Sequence, residues 1–141
     1  PGGGPRAARN GRVEIHDVAT GRLEASFRPE GIVRSVALTP TRAIVLVELL
    51  GLRRLDFYDV RSGRRITSMV PPQTLGRLLL DGNLVAYRLN DQVRVLDIAT
   101  GKRRVVANTK YVTIGLSVRN GWVVWGENRN KYARIRVARA S

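Results

Sequence analysis

Side chains able to do chemistry are sparse in this sequence, and where they stand limits what it can catalyse. There is no cysteine, so neither a disulfide framework nor a thiolate nucleophile is available. That is compatible with either side of a membrane and leaves the compartment open. His16 is the only histidine, so it would be the only imidazole base for a serine nucleophile. Ser26, Ser35, Ser62, Ser68, Ser117 and Ser141 all lie outside any Gly-x-Ser-x-Gly context. Gly2-Gly3-Gly4 is not followed by the Lys-Ser/Thr pair and helix of a phosphate-binding loop. The 11 acidic residues are dispersed, whereas a carboxylate calcium site needs several of them together. We therefore expect no catalytic, metal-binding or cofactor-binding residues, no cofactor, and no enzyme activity.

The chemistry that the composition does favour is electrostatic. The formal net charge is +14, and all but Lys102, Lys110 and Lys131 of the 25 basic residues are arginine. Such a surface attracts polyanions at long range. Three clusters are the candidate polyanion-binding residues: Arg53-Arg54, Arg64-Arg65 and Lys102-Arg103-Arg104. Competing with that reading, outward-facing strands carry charge simply because they face water, and GC-rich coding favours arginine without any ligand. Aromatic residues make up only 6% of the chain, too few for a base-stacking platform. Trp122 and Trp125 fall in one strand-like run, where core packing is the stronger expectation. Nucleic-acid or other polyanion binding through an arginine-rich rim is thus the alternative reading rather than the leading one. The longest apolar run, Ala43 to Leu52, is broken by Glu48 and Gly51. It falls short of the roughly 18–20 residues that span a bilayer, so no transmembrane segment is expected.

The elements that would carry these residues repeat. His16-Asp17-Val18-Ala19-Thr20-Gly21-Arg22 aligns with Tyr58-Asp59-Val60-Arg61-Ser62-Gly63-Arg64 and with Leu96-Asp97-Ile98-Ala99-Thr100-Gly101-Lys102. The aspartates are 42 and then 38 residues apart, the spacing of one four-stranded propeller blade per repeat. Apolar residues alternate before each Asp: Val13 and Ile15, Leu55 and Phe57, Val93 and Val95. A period of two is a strand with one buried face. Asp17, Asp59 and Asp97 can accept bonds from free turn N–H groups, and Gly21, Gly63 and Gly101 supply the left-handed backbone that the hairpin needs. These six are expected to be structural turn residues. Further strands are expected over 32–38, 42–49, 75–80, 84–89, 112–118 and 122–126, with Asp81-Gly82-Asn83 and Asn120-Gly121 as hairpin signals. Runs such as 43–47 and 122–125 are apolar on both faces, as strands between neighbouring blades must be.

The segment Asp81-Gly82-Asn83-Leu84-Val85-Ala86-Tyr87, a turn at Asn90-Asp91, and then Gln92 through Arg104 resemble the bacterial TolB-like and YVTN-like propeller repeats, relatives of the WD-repeat blades. The resemblance covers about residues 9 to 138 and implies an all-β fold, with function left to the sites grafted on it. About thirteen antiparallel strands in roughly three blades are expected, with a ring that one chain does not close. Residues 1–8 read as a Gly/Pro-rich linker or cloning remnant. The rest, 9–141, reads as a partial blade at about 9–28, blades at about 32–70 and 75–107, and a partial blade at about 111–139. Arg6 to Arg9 could be the remnant of a strand. The expected end after a third strand implies completion by a missing N-terminal half or by another copy of the chain. Terminal blades left open would expose apolar faces, which monomers rarely tolerate. The expected function is a non-catalytic protein-interaction or assembly module, likewise self-associating or completed by that half.

Overall fold

The computed structural model describes residues 11–140. The expected linker at 1–8, the strand remnant at Arg6–Arg9 and Ser141 lie outside the described residues. The chain divides into two compact units, one through Gln73 and one from Thr74.

In the first unit, β1 (Val13–His16) and β2 (Leu23–Phe27) form a two-stranded antiparallel sheet. The strands β3 (Ile32–Leu38), β4 (Arg42–Leu49), β5 (Leu52–Asp59) and β6 (Arg65–Met69) form a four-stranded one in sequence order. The two sheets meet over Val13 and Phe27 on one side and Ala43, Val45, Val47 and Tyr58 on the other. Phe27 and Tyr58 stack with ring centroids 4.0 Å apart. Alternation explains the partition: Val45 pairs with Asp56 and Ala43 with Tyr58, while Ile44 and Leu46 oppose Phe57 and Leu55 on the other face. All five residues from Ala43 to Val47 are buried, so β4 is covered on both faces, as its apolar run implies.

The three Asp turns share one hydrogen-bond pattern. Asp17 Oδ1 accepts the N–H groups of Ala19 and Thr20, both at 2.9 Å, and Gly21 N–H donates to the Asp17 carbonyl at 2.8 Å. Asp59 does the same with Arg61, Ser62 and Gly63, and Asp97 with Ala99, Thr100 and Gly101. The three glycines have φ of 71°, 70° and 77°. Those hydrogen bonds stabilise the ionised carboxyl, which holds Asp17 and Asp59 below the usual carboxylate range, led by the N–H of Thr20 and of Ser62 respectively.

In the second unit, β7 (Leu84–Leu89), β8 (Gln92–Asp97) and β9 (Arg103–Asn108) form a three-stranded antiparallel sheet. So do β10 (Thr113–Arg119), β11 (Trp122–Asn128) and β12 (Ala133–Arg139). Their shared core is Val93, Val95, Val118, Val123, Trp125 and Ala140. Asp81 Oδ2 accepts the Gly121 N–H at 3.0 Å, which ties the start of β7 to the β10–β11 turn.

Among the described residues there are twelve strands in four antiparallel sheets. The difference from the expected thirteen is the stretch Leu75–Leu80, which forms no strand. Its buried residues are Leu75 and Leu78, a spacing of three rather than the two of a pleated strand. Pro71 and Pro72 just before it bring no N–H to a ladder, and Gly76 weakens strand pairing.

Candidate interaction surface

The sheet β10–β11–β12 has two unlike faces, and register assigns every side chain to one of them. Val123, Trp125 and Glu127 share a face with their β12 partners Ala138, Arg136 and Arg134. Trp122, Val124 and Gly126 share the opposite face with Arg139, Val137 and Ile135.

The first face is the packed one. Trp125 is only 1% exposed, and its Nε1–H donates to Glu127 Oε1 at 3.1 Å. Glu127 is fully buried and is met by three guanidinium groups, Arg136 at 3.0 Å, Arg134 at 3.2 Å and Arg129 at 3.5 Å. Burial alone would raise its pKa, but hydrogen bonds from Thr109, Trp125, Arg136 and Arg134 outweigh that and hold it at about 2. Arg129 also lies over the Tyr111 ring, 4.2 Å from its centroid. The Arg134-x-Arg136 alternation on an edge strand was the sequence signal for this cluster, but its partner Glu127 stands on another strand and gave no local cue.

The second face is open. Ile135 is 78% and Val137 59% exposed, and Ile114, opposite Gly126 on β10, is exposed as well. Trp122 is 40% exposed, with the Arg139 guanidinium 4.4 Å from its ring centroid. The expectation that both tryptophans pack in the core is therefore corrected for Trp122. Residues 122–125 are buried on one face rather than two, because no sheet covers Trp122 among the described residues. Strand β12 is also an edge. Among the described residues no strand pairs along its outer side, so its alternate N–H and C=O groups remain available to another strand.

The outward face of β1–β2 is different in kind. It carries Arg12, Glu14, His16, Glu24 and Ser26, joined by contacts such as Arg12–Glu14 at 3.0 Å and His16–Glu14 at 2.9 Å. The expectation of two apolar terminal faces is thus met on β10–β12 but not on β1–β2. His16 is an exposed strand residue, its pKa raised first by the Glu14 hydrogen bond and then by the Gly21 carbonyl.

The candidate polyanion residues are not brought together in the first unit. Arg54 makes a bidentate pair with buried Asp56, at 2.7 and 2.9 Å, and Arg53 pairs with Glu48 at 3.6 Å. Both stand near the start of β5, whereas exposed Arg64 and Arg65 follow its end, roughly 20 Å along the strand. In the second unit Lys102, Arg103 and Arg104 are exposed at the start of β9. The aspartates and glycines of the repeat lie in the three Asp turns described above.

No protein-family model matches the sequence, and no curated protein matches it. Among solved structures the fold is similar to that of BamB from Moraxella catarrhalis, a β-propeller, with a TM-score of 0.57 at 18% identity. The match covers 92% of this chain and 39% of that one, so the chain spans well under half the length of this neighbour. With four antiparallel sheets in sequence order and this likeness, the chain has the fold of a partial β-propeller.

Proposed function

We propose that the chain is a non-catalytic protein-interaction and assembly module that associates through β12, with a second copy of itself as the simplest partner. The carrying observation is the pairing of an open strand edge with an exposed apolar face on the same sheet, Ile135, Val137 and Trp122. Large exposed apolar patches mark interaction sites in folded proteins, and an edge strand offers backbone hydrogen bonds to match. The Asp-x-x-Thr/Ser-Gly repeat supports placing its blades beside the TolB-like and YVTN-like repeats. Glu127 supports the surface from behind by fixing Arg134 and Arg136 inward, which leaves the apolar side chains of β12 outward.

Light scattering of the whole chain tests this. The wild type should form dimers or larger species. Ile135→Lys with Val137→Lys should return it to monomer and remove any rise of the melting temperature with protein concentration, since association stabilises the folded chain by mass action. A wild-type chain that stays monomeric at high concentration refutes self-association. Hydrolytic or redox turnover by the purified chain refutes the non-catalytic reading. The second reading, polyanion binding, is favoured by the exposure of Arg64, Arg65, Lys102, Arg103 and Arg104.

A further inference from the structure

The second unit contains a cavity of about 310 Å³ at the strandless stretch. It is walled by three pieces of chain: Thr74 to Leu79, the middle of β7 and the centre of β10. It exists because neither flank follows regular pairing. The residues 74–80 do not add to the edge of β7, and the β10–β11 register slips between Ile114 and Ser117, where Gly115 has a φ of 64°. A bulge of this kind bends a strand and is over-represented beside functional sites. The volume falls at the small end of the range for small-molecule sites, about 300–1,000 Å³.

Its lining has a marked charge. Arg77 and Arg88 both line it, along with Thr74 and Ser117, and no carboxylate does. Leu79, Ala86 and Leu116 form the apolar wall. Arg77 makes no ion pair with any described residue. Arg88 gives its Nε–H to the Asn90 carbonyl at 2.9 Å, and its Nη2 reaches the Thr109 carbonyl at 3.5 Å and Asp91 at 3.8 Å. Its Nη1 makes no hydrogen bond to a described residue. A Cβ at Gly76 or at Gly115 would meet no atom within 4 Å, so both peptide segments border open space. Two guanidinium groups lining one partly enclosed space repel each other, and an anion between them relieves that repulsion.

We propose that this cavity binds a small anion, a molecule bearing a carboxylate or phosphoryl group, between Arg77 and Arg88. The site is independent of β12 and of any self-association through it.

The test is a titration of the full chain with inorganic phosphate and, separately, citrate, followed by amide NMR, with glycerol as the neutral control. Saturable shifts centred on Gly76, Arg77, Arg88, Gly115 and Leu116 are expected for at least one of the two anions and none for glycerol. Saturation by phosphate alone assigns a phosphoryl ligand, and saturation by citrate alone assigns a carboxylate. Arg77→Gln should weaken that binding by about tenfold or more, the size of one charge-assisted hydrogen bond. Arg77 is exposed, so this variant should keep the wild-type melting temperature. Gly76→Leu, which fills the cavity without removing a charge, should abolish the shifts, and if it fails to fold, Arg77→Gln decides alone. The proposal is overturned if neither anion saturates by about 10 mM, weaker than which a site is of little use. It is equally overturned if Arg77→Gln binds as the wild type does, or if the shifts spread evenly over all basic residues.

Discussion

Glu127 shows how one buried charge can organise a strand. A carboxylate with no exposure is costly unless it is fully paired, and here an indole N–H and three arginines surround it. Its ordinary pKa of 4.5 falls to about 2 in the folded chain. A depressed folded pKa contributes stability that is fully present above the unfolded value and is lost as the pH falls through the folded one. Wild-type stability should therefore fall between pH 4.5 and about 2 more steeply than that of Glu127→Gln. The variant itself should be markedly less stable at neutral pH, because the three arginines lose their counter-charge. Chemical denaturation across that pH range measures both. A stability-against-pH curve that is parallel for the two proteins would show that the cluster does not titrate with folding.

Turns and edges carry the element-scale behaviour. The three Asp turns share one hydrogen-bond pattern, yet their glycines are not equally replaceable. At Gly101 a Cβ would meet nothing within 4 Å, so Gly101→Ala pays only for a left-handed backbone, about 1–2 kcal/mol. At Gly63 the φ is the same within a few degrees, but a Cβ would stand 2.9 Å from the Ser26 carbonyl oxygen of β2. Gly63→Ala should therefore be the more destabilising of the two by about 1 kcal/mol or more, read from the denaturation midpoint. Equal losses would mean that the turn yields freely toward β2. The hairpin at Leu50-Gly51 is built on a less suitable residue: Leu50 has a φ of 53° and an 82% exposed side chain. Aspartate or asparagine is the usual choice at such a position, and Gly51 alone marks the turn in the sequence.

At the scale of the whole chain, charge and apolar exposure suggest different partners. Of the positive charge, Arg54, Arg134 and Arg136 are engaged with buried carboxylates. The two arginine clusters of the first unit, Arg53-Arg54 and Arg64-Arg65, do not form one array. Polyanion binding should accordingly be diffuse. Heparin affinity should fall with salt, with log K linear in log salt. Gln at Arg64, Arg65, Arg103 and Arg104, which removes four of the fourteen net charges, should reduce that slope by less than the roughly four expected for four direct phosphate contacts. A drop of about four would establish those residues as a specific site and make polyanion binding the main reading.

What the sequence determined by itself was local: strands from period-two apolar residues, turns from Asp, Thr or Ser, and Gly, and a repeat near forty residues from their recurrence. Each of these depends on a few adjacent residues, so each is legible before folding. The tertiary structure alone decided which faces are covered. Trp122 and Trp125 belong to one apolar run, yet one is exposed and the other buried, because coverage depends on what packs across a face and not on the strand that presents it. The same reason removed Leu75–Leu80 from the strands, where burial of Leu75 and Leu78 overrode pairing. It also took Arg54, Arg134 and Arg136 out of the free charge by seating them on carboxylates. The scarcity of catalytic side chains was readable from composition. The arginine-lined cavity beside β7 was not, since it is a space left between elements, and a space has no residues of its own in a sequence.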